Sequence, residues 1–209
     1  MHDAHLAAGA VMMDAGYWKR PWYYPHQDDT VETAYIREAA MVRQVVGMVD
    51  VSTLGKIAIQ GPDATKFLNQ IYINGFAKLP VGKARYGIML RDDGHVMDDG
   101  TTWRLSEDEY FMTTTTAQAG PVMLFLEELL QTRMTDLDVH VSSVSDYWAG
   151  IAVAGPVARQ VLGAAITSVD WSNEAFPFMG VCSGTLSLGA AKIQFRAARI
   201  SFSGERAWE

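Results

Sequence analysis

Two adjacent aspartates stand out in "GHVMDDGTTWRL" (94–105), between an apolar pair and an aromatic-bearing stretch. Asp93-Gly94 reads as a hairpin tip, which places Asp98 and Asp99 a few residues into the returning strand. Side chains alternate faces along a strand, so one acid can be solvated while the other turns inward. Trp103 shares the parity of Asp99, with Thr101 between them. A carboxylate beside an indole suits a nitrogen-containing ligand: the acid accepts from a ring N–H or steadies an amine, and the ring can stack. Burial would raise the acid's pKa and a bound cation would lower it. From spacing alone, a surface pair beside a turn is the commoner arrangement.

Other residues offer less. "GKARY" (82–86) brings Lys83, Arg85 and Tyr86 to a strand start, where a solvated basic edge is the ordinary reading. The five histidines are scattered; His2 and His5 could share a helix face, but two ligands do not make a metal site, and none is expected. The single cysteine, Cys182, sits in apolar "MGVCSGTL" with no histidine nearby, which fits a core or loop residue better than a nucleophile. It excludes an internal disulfide and weakly favours a reducing compartment.

The elements that would position these residues follow from pattern. The chain has 209 residues, 49% hydrophobic and 20% charged, the composition of a folded protein. Its net charge of −7 disfavours a nucleic-acid partner. No apolar run approaches a membrane span and the N-terminus lacks a basic leader region, so a cytoplasmic protein is expected, with no membrane partner. "GYWKRPWYYPHQDD" carries five aromatics and two prolines, and reads as an irregular strap over the core or a cleft wall. "TVETAYIREAAMVRQVVG" predicts a helix capped by Thr30 and stopped by Gly47 as a C′ residue. "GKIAIQ" predicts a strand broken by Gly61-Pro62, with Pro62 opening a helix.

That unit occurs twice. "IAIQGPDATKFLNQI" (57–71) matches "IAVAGPVARQVLGAA" (151–165) at a spacing of 94 residues. The repeat predicts an α+β protein of two related halves, with antiparallel strands between the units. "PVMLFLEELLQ" predicts a helix with Pro121 at its start, and "LDVHVSSVSDYWAGIAVAG" two strands. The expected division is 1–50 with 140–209 as one subdomain, incomplete at its C-terminus, and 51–139 as an inserted second. "RISFSGERAWE" ends in mid-pattern, so an excerpt of a longer polypeptide is expected.

Three segments together, "GMVDVSTLGKIAIQGPDATKFLNQI", "LPVGKARYGIMLRDDGHVMDDGTTWRL" and "ISFSGERAWE", resemble the tetrahydrofolate-dependent aminomethyltransferase family typified by the glycine cleavage T-protein. The likeness runs through almost the whole chain in order. It implies a T-protein-like fold of antiparallel sheets with flanking helices. Two departures narrow it: Thr53-Leu54 stands where that family has His-Met, and Ser201–Glu205 where it has Gly-Tyr-Thr-Gly-Glu. "MHDAHLAAGAV", "WKRPWYYP", "STLGKI", "MTTTT", "EAFPF" and "SFSGE" are similar to the aminomethyltransferase-like region of the sarcosine oxidase alpha-subunit family.

The resemblance implies roles residue by residue. Asp99 matches the acid that meets the reactive pterin nitrogens and would be catalytic, while Asp98 would be structural. Leu54, Tyr86 and Trp103 match positions lining a folate site. Glu209 matches a glutamate that accepts from the pterin amino and ring N–H groups, which a carboxylate can do with two parallel hydrogen bonds. Phe202 replaces a tyrosine, so that hydroxyl is lost. Arg199 matches the arginine before the turn. The implied reaction transfers the one-carbon unit of oxidised sarcosine, an imine, to tetrahydrofolate, giving 5,10-methylenetetrahydrofolate. Flavin (FAD, FMN) and NAD would lie elsewhere in a complex with beta, gamma and delta subunits, and the excerpt alone would be inactive. The alternatives are another folate-dependent aminomethyltransferase or demethylase, and a non-catalytic folate-binding or assembly module of the same fold.

Overall fold

A computed structural model describes residues 1–209. The chain divides into two compact units: Met1–Thr53, Ala149–Phe178 and Ser183–Glu209 form the first, and Leu54–Trp148 with Met179–Cys182 the second.

The second unit is a five-stranded antiparallel sheet with two helices. Its strands are β4 (Gly55–Gln60), β5 (Lys83–Leu90), β6 (Val96–Arg104), β7 (Glu109–Thr114) and β8 (His140–Ser143), in the order β5-β6-β7-β4-β8. Alternation along β4 and β7 sends Ile57, Ile59, Tyr110 and Met112 to one face. There they meet Phe67, Leu68 and Ile71 of α3 (Ala64–Ile71) and Val122, Leu126 and Leu129 of α4 (Ala119–Thr132) in one core. Apolar residues at helical spacing, Ala64, Phe67, Leu68 and Ile71, are why α3 packs this way. Asp99, Thr101, Trp103, Phe111 and Lys56 occupy the opposite face by register.

The first unit begins with α1 (His2–Ala7) and a hairpin of β1 (Val11–Ala15) and β2 (Trp18–Tyr23). The expectation of an irregular strap at 17–24 is therefore corrected. Pro21 is tolerated because this sheet has only two strands, and a bulge between Val11 and Met12 absorbs the irregular register. Then come α2 (Val31–Gln44), β3 (Gly47–Asp50), β9 (Ile151–Ala154), α5 (Ala158–Ala165), β10 (Val181–Leu188), β11 (Ala191–Ala198) and β12 (Ala207–Trp208). Strands β12, β9 and β3 form one antiparallel sheet, and β10 and β11 a hairpin.

Thr30 caps α2 as expected: its side chain accepts from Thr33 N–H, and Thr33 returns the bond to Thr30 N–H. Gly47 does not serve as a C′ residue. The helix ends at Gln44 with Val45 as C-cap, and Gly47 opens β3, where a Cβ would lie 2.3 Å from Val42 Cγ2. Close approach, not a left-handed backbone, selects that glycine. Pro62 likewise precedes its helix, which starts at Ala64 after Asp63. Pro121 falls in the first turn of α4, two residues after its start.

Both Gly-Pro elbows have the same geometry. Gly61 has φ +133° and Gly155 φ +127°. Gly61 N–H donates to Asp108 O, just before β7, and Gly155 N–H to Arg206 O, just before β12, both at 2.9 Å. Two residues on, Asp63 N–H donates to Asp138 O and Val157 N–H to Val45 O. The order β7-β4-β8 thus corresponds to β12-β9-β3.

Candidate functional site

The β5-β6 hairpin carries the two aspartates. Its tip is the turn Arg91–His95, with Gly94 at φ +81° as the turn requires, and β6 pairs β5 as Asp99↔Ile88 and Thr101↔Tyr86. The acids do point opposite ways, and Asp98 is the buried one at 4% exposure. It accepts from Thr115 Oγ1 at 2.7 Å and from Thr115 N–H at 3.3 Å. Burial pushes its carboxyl above the usual carboxylate range, and the Thr115 bonds partly offset that.

Asp99 is half-buried on the other face. Tyr86, 44% exposed, donates its hydroxyl to Asp99 Oδ2 at 2.8 Å. That bond raises the Tyr86 phenol, because its proton is held by a carboxylate. Asp99 Oδ1 has no protein partner, so it is free to accept from a ligand N–H or to take a proton.

Trp103 is buried at 5% exposure and packs on Phe111 with ring centroids 5.1 Å apart. Its indole N–H is already committed to Thr101 Oγ1 at 2.9 Å. Thr113 closes that group: its hydroxyl lies 3.1 Å from Thr101 Oγ1, accepts Thr101 N–H at 3.0 Å and donates to Thr101 O. Gly100 permits it, since a Cβ there would lie 2.1 Å from Thr113 O. Sequence reasoning missed this threonine clamp; its only signal was the threonine run 113–116. It also missed Lys56, buried on the same face, whose Nζ donates to Leu54 O at 2.9 Å and Ser145 O at 3.4 Å. Leu54 itself is half-buried.

The remaining candidates, Cys182 apart, belong to the first unit. Arg199 donates to Phe176 O at 2.9 Å and lies 5.5 Å over the Trp208 ring. Burial, and then the charges of Arg159 and Arg206, lower its pKa. Glu209 exchanges both backbone hydrogen bonds with Ala198, at 2.8 and 3.0 Å. Its side chain has no hydrogen-bond partner, and burial raises its carboxyl. Phe202 is fully exposed. His5 is engaged by Asp50 at 2.8 Å and by the Tyr24 hydroxyl at 2.6 Å. Burial keeps the Cys182 thiol protonated by raising its pKa.

With this geometry in place, comparison with known proteins defines the class. The GCVT N-terminal domain family matches residues 1–209, and the chain belongs to that family. It is 51% identical over all 209 residues to a sarcosine oxidase subunit alpha of Corynebacterium sp. (strain P-1), covering 21% of that protein. It is 48% identical to the corresponding subunit of Rhizobium meliloti (strain 1021), again covering 21%. An aminomethyltransferase of Thermotoga maritima is 33% identical over 162 residues, which are 78% of this chain and 41% of that one. The chain therefore spans about a fifth of the length of the alpha subunits it matches. Among solved structures, aminomethyltransferase T of the glycine cleavage system from Bartonella henselae superposes with a TM-score of 0.79. That match has 24% identity and covers 99% of this chain and 51% of the other, so it shows the fold: α+β, with antiparallel sheets and flanking helices. No helix is long and apolar enough to cross a membrane.

Proposed function

We propose that this chain is the tetrahydrofolate-binding region of a sarcosine oxidase alpha subunit. The observation that carries the reading is the half-buried Asp99 carboxylate, with one oxygen held by Tyr86 and the other free, in a chain half identical to such subunits. In this reading the complex oxidises sarcosine at a flavin elsewhere, and the resulting imine delivers its one-carbon unit here. When bound, tetrahydrofolate supplies the two nitrogens that take that unit as a methylene bridge, giving 5,10-methylenetetrahydrofolate and glycine.

The free donors and acceptors fit such a ligand. Asp99 Oδ1 accepts from a ring nitrogen and takes up the proton that nitrogen loses, while the Tyr86 hydroxyl keeps the carboxylate in one rotamer. The half-buried Glu209 carboxyl, with no hydrogen-bond partner, suits a paired N–H edge, with bonds that offset its desolvation. Leu54 is proposed to shape the surroundings of Asp99 in the second unit, and Arg199 and Phe202 those of Glu209 in the first. Trp103 contributes ring surface only, because its N–H is taken by Thr101. Beta, gamma and delta subunits, FAD, FMN and NAD belong to the proposed whole.

Asp99→Asn in the complete enzyme tests the reading. The yield of methylenetetrahydrofolate per sarcosine oxidised should fall at least ~100-fold, the usual scale for a general base, with formaldehyde released instead. An unchanged yield would remove Asp99 from the chemistry.

A further inference from the structure

The ladder between β6 and β7 pairs Arg104↔Tyr110, Trp103↔Phe111 and Thr102↔Met112, and stops there. On its other side β6 stays paired with β5 as far as Val96. Past Thr102, side chains join β6 to β7. The Thr113 hydroxyl accepts Thr101 N–H at 3.0 Å and donates to Thr101 O at 3.1 Å. Backbone groups alternate sides along a strand, so those of Asp99 face β7 as those of Thr101 do. Continued register would set Asp99 opposite Thr115, and a regular rung would carry Thr115 N–H to Asp99 O. Instead Thr115 N–H goes to the Asp98 carboxylate at 3.3 Å, and Thr115 Oγ1 donates to the same carboxylate at 2.7 Å.

The exchange of a backbone rung for a side chain has a cost. Asp98 is 4% exposed, and a carboxylate taken into a core loses more hydration than the peptide oxygen it stands in for. Joining the two strands needs no such acid, because a continued ladder would do it. The cost falls on the residue beside Asp99, and local departures of this kind concentrate at functional sites. A bond from the Asp99 backbone N–H helps keep the Asp98 carboxylate charged, which links the acid directly to its neighbour's main chain. Asp99 is thereby held from two directions. Tyr86 fixes its carboxylate at 2.8 Å, and the ties at Thr101 and Asp98 fix the strand on either side of it.

We infer that Asp98 and Thr115 are positioning residues for the one-carbon transfer, their bond setting where β6 presents the Asp99 carboxylate. The inference rests on the folate reading and adds the residues that aim its base. Asp98 points to the face opposite Asp99, so it acts through the main chain and not on the ligand. A misplacement of about 1 Å can cost about 100-fold in rate, and loss of one bond of the tie, with the Thr113 tie intact, should cost about tenfold.

The test measures methylenetetrahydrofolate formed per sarcosine oxidised by the complete enzyme over a range of tetrahydrofolate concentrations. Thr115 is exposed, so replacing it leaves the core in place. Thr115→Val should lower the maximal yield about tenfold and leave the half-saturating tetrahydrofolate concentration unchanged, and Thr115→Ser should restore the yield. In an Asp99→Asn enzyme the same Thr115→Val change should cost nothing further, because the group it positions is gone. A full yield from Thr115→Val would overturn the inference. So would a further tenfold loss in the Asp99→Asn background, which would make Thr115 a support of the fold at large. An Asp99→Asn enzyme with undiminished yield would overturn the folate reading itself.

Discussion

The two units are built on one plan, and they differ in what that plan carries. Each has a central strand, β4 or β9, leading through a Gly-Pro elbow into an eight-residue helix, α3 or α5. Each has a fourteen-residue α-helix leading to the strand on one side of that centre, α4 before β8 and α2 before β3. Each has an arginine over a buried ring: Arg104 lies 5.5 Å over Tyr110 and donates to Leu79 O, and Arg199 lies 5.5 Å over Trp208 and donates to Phe176 O. The Ala198–Glu209 backbone rung corresponds to Trp103↔Phe111.

Counting back four residues from that rung sets Asp99 against Gln194, and the buried Trp103 against Ala198. In the first unit Gln194 accepts from Thr185 Oγ1 at 3.2 Å, a neutral pair where the second unit has a carboxylate. Polar satisfaction differs as well. Tyr110 shares a hydrogen bond with Thr65 at 2.5 Å, and Arg104 pairs with Glu107 at 2.7 Å. Trp208 Nε1 is buried with no partner, and Arg199 pairs with no carboxylate. The common backbone fixes strands and elbows, whereas the Asp99 carboxylate with its Tyr86 partner stands on one copy only.

The largest test of that equivalence is at the elbows. A Cβ on Gly61 would lie 2.2 Å from Asp138 O, and one on Gly155 2.5 Å from Val42 O, both at positive φ. Gly61→Ala and Gly155→Ala should each destabilise by about 3 kcal/mol or more in urea unfolding, since backbone cannot step aside as a side chain can. A large loss at one elbow and none at the other would break the comparison.

Next is Asp98, whose hydrogen bonds to Thr115 have no counterpart at Ile193, the matching position of β11. Asp98→Ala should cost roughly 1–3 kcal/mol by leaving the Thr115 N–H and hydroxyl without their acceptor. Its pH dependence has a defined sign. A carboxyl whose folded pKa is raised binds its proton more tightly in the folded state, so it removes stability as pH rises from the unfolded to the folded pKa. Asp98→Asn should flatten that fall just above the ordinary carboxylate range, measured as unfolding free energy against pH. An unchanged profile would mean Asp98 ionises freely.

The smallest effect concerns the long helices. Thr30 caps α2 with its side chain, while Gln118 at the start of α4 makes no cap bond. Thr30→Ala should lower stability by about 1 kcal/mol and Gln118→Ala by almost nothing. Equal losses would show that capping does not distinguish the two helices.

Much of this plan is legible in the sequence, but not all of it. The Gly-Pro repeat at a spacing of 94 is visible because each elbow needs a glycine at positive φ and small residues after it. The remaining equivalences are hidden because the chain order is permuted: α4 and β8 follow their central strand, whereas α2 and β3 precede theirs. Alternation at Asp98-Asp99 is readable, but which acid turns inward depends on Thr115, seventeen residues away. The β1-β2 hairpin is masked by Pro21, which a two-stranded sheet accepts. Trp103 matches a ligand-lining position by resemblance, yet only the structure reveals that Thr101 already holds its N–H.

The central claim is that Asp99 faces a folate. Calorimetric titration of tetrahydrofolate into the full-length protein, wild type beside Asp99→Ala, tests it most directly. Loss of the charge-assisted bond at Oδ1 should weaken binding at least about tenfold, roughly 1.4 kcal/mol. Equal affinity in the two proteins would contradict the claim and leave Asp99 a surface acid of this fold, with its site elsewhere.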